Sequence, residues 1–275
     1  MSNNLNAVAF VQPAVPKYRI DFFSKLGQLK SISIYTANVD FIEVKSELGL
    51  KDAHYQSTFI KIGQLYWHRD LPIRRILKNH SKIVINGNMR IINYMLLLVA
   101  ARIMGKEVIW WGHLNTAGSY GVYSKIRKLF MRVASKILFY TDNEKDRFSS
   151  NKKIYALNNG LTLPDKVPAK LLTHFLNSGT TRLFFIGRLT QKCNILFALD
   201  ALSTSKLPFE FHIVGDGPIM EECRRFQNDP RFIFYGAVFE ENEIWNIATK
   251  CDLFLYPGAV GLSLIKGFGY GLPAV

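Results

Sequence analysis

Cysteine is scarce in this sequence and is not arranged for metal binding or for a disulfide framework. Among 275 residues there are three cysteines, Cys193, Cys223 and Cys251, and no two of them have a CxxC spacing. Structural zinc sites and disulfide-rich secreted domains need cysteines that are more numerous or more regularly spaced. The pattern argues against both classes and is typical of a protein from a reducing compartment.

Long hydrophobic runs are also missing. The longest apolar run, Tyr94–Met104, contains Arg102 and is too short to cross a bilayer, so a buried helix is predicted there. The first six residues are polar and lack the basic segment of a secretory signal. We therefore expect a cytoplasmic protein.

Acidic residues are outnumbered in the first part of the chain. Residues 1–165 contain 24 Lys and Arg against 11 Asp and Glu, a net charge of +13, whereas residues 166–275 carry only +1. Such a basic surface is either a solvated face or a site for anionic lipid, an anionic substrate or nucleic acid. No zinc finger, RNA-recognition motif or basic tail is present, so nucleic acid is not an expected partner.

What the sequence does contain is a regular alternation of strand-like and helical segments. Short apolar runs predict first-half strands at Ala7–Val11, Ile32–Tyr35, Ile83–Ile85, Glu107–Trp111, Ile137–Tyr140 and Ile154–Leu157. Second-half strands are predicted at Leu183–Ile186, Phe209–Val214, Phe232–Tyr235 and Leu253–Tyr256. A proline-containing seam between the two series predicts domains at residues 1–168 and 169–275. The alternation predicts parallel sheets with helices on both faces.

Three stretches of the first half lead to more specific expectations. Tyr18–Leu26 has helical spacing and is predicted to stop at Gly27, whereas residues 40–78 predict only loops and strand. A helix over Tyr123–Ile137 places two sets of residues on different faces. The apolar set is Ile126, Leu129, Phe130, Val133 and Ile137, and the basic set is Lys125, Lys128, Arg132 and Lys136. We expect the apolar face to lie in the core and the basic face to approach an anionic inner-membrane surface.

Ligands of parallel α/β sheets bind beyond the carboxyl ends of the strands, and several second-half strands end in glycine. Arg188 and Lys192 follow one such end four residues apart, a spacing of cations that suits a diphosphate. A turn at residues 258–261 precedes a predicted helix, whose first backbone N–H groups form a site for a phosphate or a sugar hydroxyl. The alternative interpretation is that Arg188 and Lys192 are ordinary solvated residues and that the turn at residues 258–261 belongs to an ordinary strand–turn–helix without a ligand.

Four second-half motifs occur in a familiar order and spacing: GRLTQK (187–192), IVGDGP (213–218), FYGAV (234–238) and PGAVGLSLIKGFGYGLPAV (257–275). Together they resemble the donor domain of the retaining nucleotide-sugar glycosyltransferases of family 4, which have the GT-B fold. The first half is similar to that family's bacterial polysaccharide-building members at VQPAVPKYRIDFFSKL (11–26), NGNMR (86–90), WWGH (110–113) and ALNNGL (156–161). The resemblance implies an α/β protein of two Rossmann-like domains facing across a cleft. The second domain is expected to be incomplete, because the chain stops as a strand begins.

The resemblance also implies roles for individual residues. Arg188 and Lys192 would hold the donor diphosphate without a metal, and His113 would lie in the cleft near the reacting centre. The other implied donor-binding residues are Gly187, Gly215, Gly236, Val238, Gly258, Gly261, Leu262, Ser263 and Lys266. No cofactor is expected beyond the nucleoside-diphosphate sugar, and the expected acceptor is a glycan or a lipid-linked molecule.

The sequence departs from the family pattern near the predicted donor helix. Gly258 and Lys266 stand where the family usually has two glutamates, which contact sugar hydroxyls and ribose, and the spacing from Arg188 to Lys192 is one residue shorter than usual. The predicted activity is retaining sugar transfer in bacterial surface polysaccharide synthesis. A degenerate non-catalytic relative and a GT-B-like nucleotide-sugar epimerase are the alternatives.

Overall fold

The chain forms two compact α/β units in the computed structural model, residues 1–159 (unit 1) and residues 160–275 (unit 2). The structure describes residues 7–42, 44, 46, 48–56, 58–115, 121–158, 160, 179–258 and 261–275. The predicted domain boundary between residues 168 and 169 lies outside these described residues and stays a prediction.

Unit 1 is built on a parallel sheet of seven strands in the order β3-β2-β1-β6-β7-β8-β9. The sheet strands are β1 Val8–Val11, β2 Ile32–Ala37, β3 Ala53–Gln56, β6 Lys82–Asn86, β7 Glu107–Trp111, β8 Lys136–Phe139 and β9 Lys153–Ala156. An antiparallel hairpin pairs β4 Phe59–Ile62 with β5 Leu65–His68. The helices are α1 Ile20–Leu29, α2 Ile73–Asn79, α3 Ile92–Ile103, α4 Val122–Val133 and α5 Asp142–Asp146.

Both faces of the unit 1 sheet are buried, as the strand–helix alternation predicts. Along β1, Ala9 and Val11 belong to one core cluster, whereas Phe10 belongs to the other. This division follows from the strand repeat, because successive side chains point to opposite faces. The predicted arrangement of helices on both faces is therefore confirmed for this unit.

Helix α1 does not stop at Gly27, and that expectation is wrong. The helix continues to Leu29, and a Cβ built on Gly27 would lie 2.9 Å from the Asp52 carboxylate oxygen Oδ2. The glycine permits a close approach between the helix and the segment before β3. A glycine within a helical pattern is compatible with continuation when packing requires the missing side chain.

The segment predicted as loops and strand also contains a helix. Helix α2 begins at Ile73, directly after Pro72, and buries Ile76 completely. This helix has only about two turns, so its apolar face is short. The hydrophobic periodicity is therefore too weak to be recognised from the sequence.

Helix α4 differs from its prediction in both length and orientation. It ends at Val133, and Ile137 lies in β8 instead. Ile126 and Leu129 are exposed, 40% and 60% respectively, while Arg127 and Met131 face the interior. Because the helix is rotated relative to the expected apolar face, part of that face is left on the surface beside Lys125, Lys128 and Arg132.

Unit 2 has a four-stranded parallel sheet in the order β12-β11-β10-β13. The strands are β10 Thr181–Ile186, β11 Phe209–Val214, β12 Phe232–Gly236 and β13 Leu253–Phe254, and the helices are α6 Ile195–Ser203, α7 Met220–Arg224, α8 Glu241–Ala248 and α9 Leu262–Gly269. Along β10, Leu183 and Phe185 belong to one core and Phe184 and Ile186 to the other. Helices therefore cover both faces here too.

Within the described part of the chain, none of the helices combines the length and the apolar character needed to cross a membrane.

Candidate functional site

Three neighbouring strands of unit 2, β10, β11 and β12, lead to glycines at their carboxyl ends, and these glycines are joined through the backbone. The N–H of Gly187 donates to the carbonyl oxygen of Val214 (3.0 Å), and the N–H of Gly215 donates to that of Gly236 (2.8 Å). These bonds extend the sheet pairing by one residue beyond β10 and β11. We call Gly187, Gly215 and Gly236 the glycine edge.

The contact between two of these glycines has no room for a side chain. A Cβ built on Gly215 would lie 1.9 Å from the carbonyl oxygen of Gly187, and Gly215 has a φ of +149°. Gly236 has a φ of +69°, in the left-handed region that glycine adopts without strain. The glycine edge thus exposes backbone, rather than side chains, at the carboxyl end of the sheet.

The two predicted cations follow Gly187 closely in the sequence, and both are exposed on the surface. Arg188 directly follows Gly187 and is exposed. Lys192 is also exposed and lies in a 3₁₀ turn, Gln191–Cys193, that leads through Asn194 into α6. Both cations therefore occupy the loop between β10 and α6, at the carboxyl end of the sheet.

Gly258 brings this turn together with the segment before α9. A Cβ on Gly258 would lie 2.4 Å from the Lys192 carbonyl oxygen, and the Asn194 Nδ2 donates to the Pro257 carbonyl oxygen (3.4 Å). A glutamate in place of Gly258 would displace the backbone of the turn. The presence of glycine at this position therefore has a steric reason.

The predicted donor helix, α9, begins at Leu262 with Gly261 as its N-cap, and the cap makes no side-chain hydrogen bond. Ser263 lies against the glycine edge, because a Cβ built on Gly187 would be 3.4 Å from its Oγ. Lys266 follows one turn later and is half-buried. The structure thus brings Gly187, Lys192, Gly258 and Ser263 into one region.

Val238, one of the predicted donor-binding residues, has a packing role in this structure. It is half-buried and packs against the core cluster that contains Ile244 and Phe254. Its predicted position beside the nucleotide base stays a prediction.

A second site lies in unit 1, at the carboxyl ends of β1, β6, β7 and β8. It is a cavity of about 460 Å³, and residues from the loops after these strands line it, among them Pro13, Gly87, Gly112, His113 and Tyr140. The sequence placed His113 after a strand, and the structure places it in this cavity.

His113 is oriented by a carboxylate that the sequence analysis missed. Its Nδ1 lies 3.0 Å from Oε1 of Glu144, which also accepts the backbone N–H of Leu114 (2.9 Å). Glu144 sits in the first turn of α5, where its own N–H donates to the N-cap hydroxyl of Thr141. Because an ionised carboxylate only accepts, Nδ1 carries the proton, and Nε2 of the neutral ring is left as an acceptor.

Three arginines also line the cavity: Arg19, Arg90 and Arg127. Arg19 and Arg127 are each 8% exposed. Arg19 and Arg90 lie within two of the motifs that carry the family resemblance, and the charge of residues 1–165 was the sequence signal for all three. Burial lowers the pKa of the Arg127 guanidinium, and the Glu144 carboxylate opposes this shift.

Among the residues that the structure describes, no three His, Cys, Asp or Glu side chains are grouped as metal ligands would be. That the reaction needs no metal ion stays a prediction.

Comparison with known proteins points to one fold. Residues 180–275 match the family model described as "Glycosyl transferases group 1". No curated protein sequence matches the chain. Two similar solved structures are the lipopolysaccharide outer core galactosyltransferase WaaB (17% identity, 98% of this chain and 79% of that chain, TM-score 0.64) and Anabaena HepE in complex with UDP-glucose (13%, 98% and 79%, 0.64).

A third similar structure is that of WaaG, a glycosyltransferase involved in lipopolysaccharide biosynthesis (13% identity, 97% of this chain and 80% of that chain, TM-score 0.56). The match over unit 2 includes the whole glycine edge, and the structural likeness extends across both units. The chain has the GT-B glycosyltransferase fold.

Proposed function

We propose that this protein transfers a sugar from a nucleoside-diphosphate sugar to a glycan or lipid-linked acceptor, with retention of the anomeric configuration. The observation that carries the proposal is the region of unit 2 where the glycine edge, Lys192 and the start of α9 come together. Exposed backbone, nearby cations and uncapped helix N–H groups are the features that bind a diphosphate. HepE, a similar structure, was solved with UDP-glucose, which supports a nucleoside diphosphate as the ligand.

In the proposed reaction, the bond between the anomeric carbon and the β-phosphate oxygen breaks, and the anomeric carbon bonds to an acceptor hydroxyl oxygen. The leaving diphosphate gains negative charge, which Arg188, Lys192 and the first N–H groups of α9 stabilise. In a retaining transfer, both bonds lie on the same face of the sugar. The departing phosphate oxygen then takes the proton from the acceptor hydroxyl.

Unit 1 binds the acceptor in this proposal, and His113 contacts a substrate hydroxyl there. With Nδ1 held by Glu144, Nε2 is an acceptor of fixed direction. Synthesis of a bacterial surface polysaccharide is the proposed setting, and the names of WaaB and WaaG, both connected with lipopolysaccharide, support it.

Release of nucleoside diphosphate tests the function most simply. UDP-, GDP- and ADP-sugars are incubated with the full chain, with and without glycan acceptors, and the anomeric configuration of any product is read by NMR. Acceptor-dependent release with retention supports the proposal. Nucleotide binding without release favours a non-catalytic relative, and conversion of one nucleotide sugar to another without transfer favours an epimerase.

Turnover is expected to survive excess EDTA. Two cations and the N-terminus of α9 supply the charge that a divalent ion provides in other transferases. The measurement compares initial rates with and without the chelator at one nucleotide-sugar concentration. Loss of turnover in EDTA, with recovery on adding magnesium or manganese, would contradict this expectation.

We further propose that unit 1 associates with an anionic membrane surface through α4. Val122 and Leu129 are more than half exposed on this helix, and Lys125, Lys128 and Arg132 are charged residues of the same helix. Apolar side chains that enter the lipid interface beside cations that attract anionic headgroups characterise helices lying on a membrane. This association would place the enzyme beside a lipid-anchored acceptor.

Vesicle sedimentation tests the membrane proposal. Binding to phosphatidylglycerol vesicles is expected to exceed binding to phosphatidylcholine and to weaken as salt is raised. Each cation near the surface contributes about 1 kcal/mol, so the double variant Lys125→Ala/Lys128→Ala should lose about 25-fold in affinity. Lys25→Ala/Lys30→Ala, with the same charge change at exposed positions of unit 1, is the matched control. Equal loss in both double variants would assign the binding to net charge alone.

A further inference from the structure

We propose that the cavity in unit 1 binds the acceptor through an anionic group, a phosphate or a carboxylate, that the acceptor carries. The inference rests on the proposed function, because it takes this cavity as the acceptor site. It narrows the acceptor from any glycan to one bearing a negative charge.

The charge of the cavity is the first observation. Its lining contains Arg19, Arg90, Arg127 and His113, and no Asp or Glu belongs to the described residues that line it. The nearest carboxylate shown by the contacts is Glu144, which is bound to His113 and to a backbone N–H. Among the residues that the structure describes here, one carboxylate against three guanidinium groups gives an excess of positive charge.

Arg19 is the second and stronger observation. Its Nη2 donates to the Tyr140 hydroxyl (2.9 Å) and its Nη1 to Oε1 of Gln12 (3.4 Å), while its guanidinium carbon lies 4.4 Å from the centre of the Trp111 ring. All of these partners are neutral. Within the described chain, Arg19 is absent from every ion pair.

Burying a guanidinium without a counter-charge is unfavourable, so such a group in a cavity wall is suited to an anionic ligand. Its neutral contacts fix its direction but do not use all five of its N–H donors. A planar fork held in place in this way matches the two oxygens of a carboxylate or phosphate.

Arg90 is held in a similar manner at another part of the wall. Its Nε donates to the carbonyl oxygen of Gln64 (2.8 Å), and its guanidinium carbon lies 5.0 Å from the centre of the Tyr66 ring. Arg127 donates to the carbonyl oxygen of His113 (3.5 Å). Three arginines from separate parts of unit 1 therefore line one cavity, where a bound anion can neutralise part of their charge.

The alternative for Arg19 is a structural role between Trp111 and Tyr140. Such a role predicts that replacing Arg19 lowers stability without altering any preference for charged ligands. A ligand-dependent readout therefore separates the two interpretations.

The test compares glucose 6-phosphate, glucuronate and glucose as probes of the full chain by saturation-transfer NMR, with UDP binding measured in parallel. We expect at least one charged probe to bind about tenfold more tightly than glucose. The preferred probe indicates the source of the charge, a phosphorylated or lipid-phosphate acceptor for glucose 6-phosphate and an acidic sugar for glucuronate. A protein that binds UDP but shows no preference for either charged probe would overturn the proposal.

Two variants locate the effect. Arg19→Met keeps an apolar stem against Trp111 but removes the charge, and Arg90→Ala alters an exposed side chain. Each should weaken binding of the charged probe about tenfold while leaving UDP binding unchanged. Arg74→Ala, an exposed arginine on α2 outside the cavity, is the control. If Arg19→Met does not fold, Arg90→Ala still decides, and unchanged binding in that variant would contradict the proposal. If the unmodified protein does not bind UDP at all, that result would instead count against the proposed function.

Discussion

Arg188→Ala is expected to weaken nucleoside-diphosphate binding tenfold or more and to lower kcat/KM by about a hundredfold or more. A hydrogen bond to a charged group contributes about 1.5–3 kcal/mol to binding, and removing a group that stabilises the charge of the transition state typically costs about 10²–10³ in rate. Arg188 lies directly after Gly187, in the loop that follows β10. Calorimetry with UDP and initial rates with a nucleotide sugar measure the two effects.

Arg224→Ala is the matched control for this substitution. Arg224 is an exposed arginine of unit 2 whose Nη1 pairs with Oε1 of Glu221 (2.8 Å) on the same helix. Because it lies at the end of α7, its loss changes the charge of unit 2 without touching the glycine edge. Equal effects of the two substitutions would show that Arg188 acts through net charge. Unchanged UDP binding in Arg188→Ala would show that Arg188 is not part of the nucleotide site.

Gly215→Ala is expected to destabilise unit 2 by about 3 kcal/mol or more, which lowers its melting temperature by about 10 °C or more. The added methyl group would lie 1.9 Å from the carbonyl oxygen of Gly187, and a backbone atom cannot rotate away as a side chain can. The positive φ of Gly215 adds strain to any residue with a Cβ. Thermal unfolding followed by circular dichroism measures the change.

Gly261→Ala provides the same chemical change without the steric conflict. A Cβ on Gly261 meets nothing within 4 Å, and its φ of −162° is extended backbone that alanine also adopts. Its melting temperature should stay within about 2 °C of the unmodified protein. Similar melting of both variants would mean that the contact between Gly215 and Gly187 is not close-packed in solution.

Most strands of the two parallel sheets were predictable because their physical signal is local, whereas β3 lies in the segment 40–78, for which the sequence pattern predicts no strand bounds. A short buried run closed by glycine, such as Leu183–Ile186 before Gly187, has the length and termination of a strand in a parallel sheet. The glycine edge follows from the same signal, since the carboxyl ends of parallel strands meet at one edge.

Packing between distant segments was not predictable in the same way. The sequence pattern suggests that Gly27 ends a helix, whereas it allows α1 to approach Asp52. It also suggests that Gly258 is a lost glutamate, whereas that position contacts the backbone at Lys192. In each case the reason for the glycine lies more than 20 residues away in the chain.

The cavity of unit 1 needed the structure for the same reason. His113 and Glu144 are 31 residues apart, and Arg19 and Tyr140 are 121 apart, so no local spacing connects them. The rotation of α4 likewise depends on which face meets the sheet. Its apolar period is consistent with more than one orientation, and the buried Met131 shows which one is adopted.

Amide hydrogen exchange with and without saturating UDP tests most directly whether unit 2 is the nucleotide site. If unit 2 binds the nucleotide, exchange is expected to slow in peptides that cover residues 187–194, 215–218, 236–238 and 261–266, with little change in unit 1. Protection confined to the unit 1 cavity around Arg19 and His113, or no protection anywhere at saturating UDP, would contradict it.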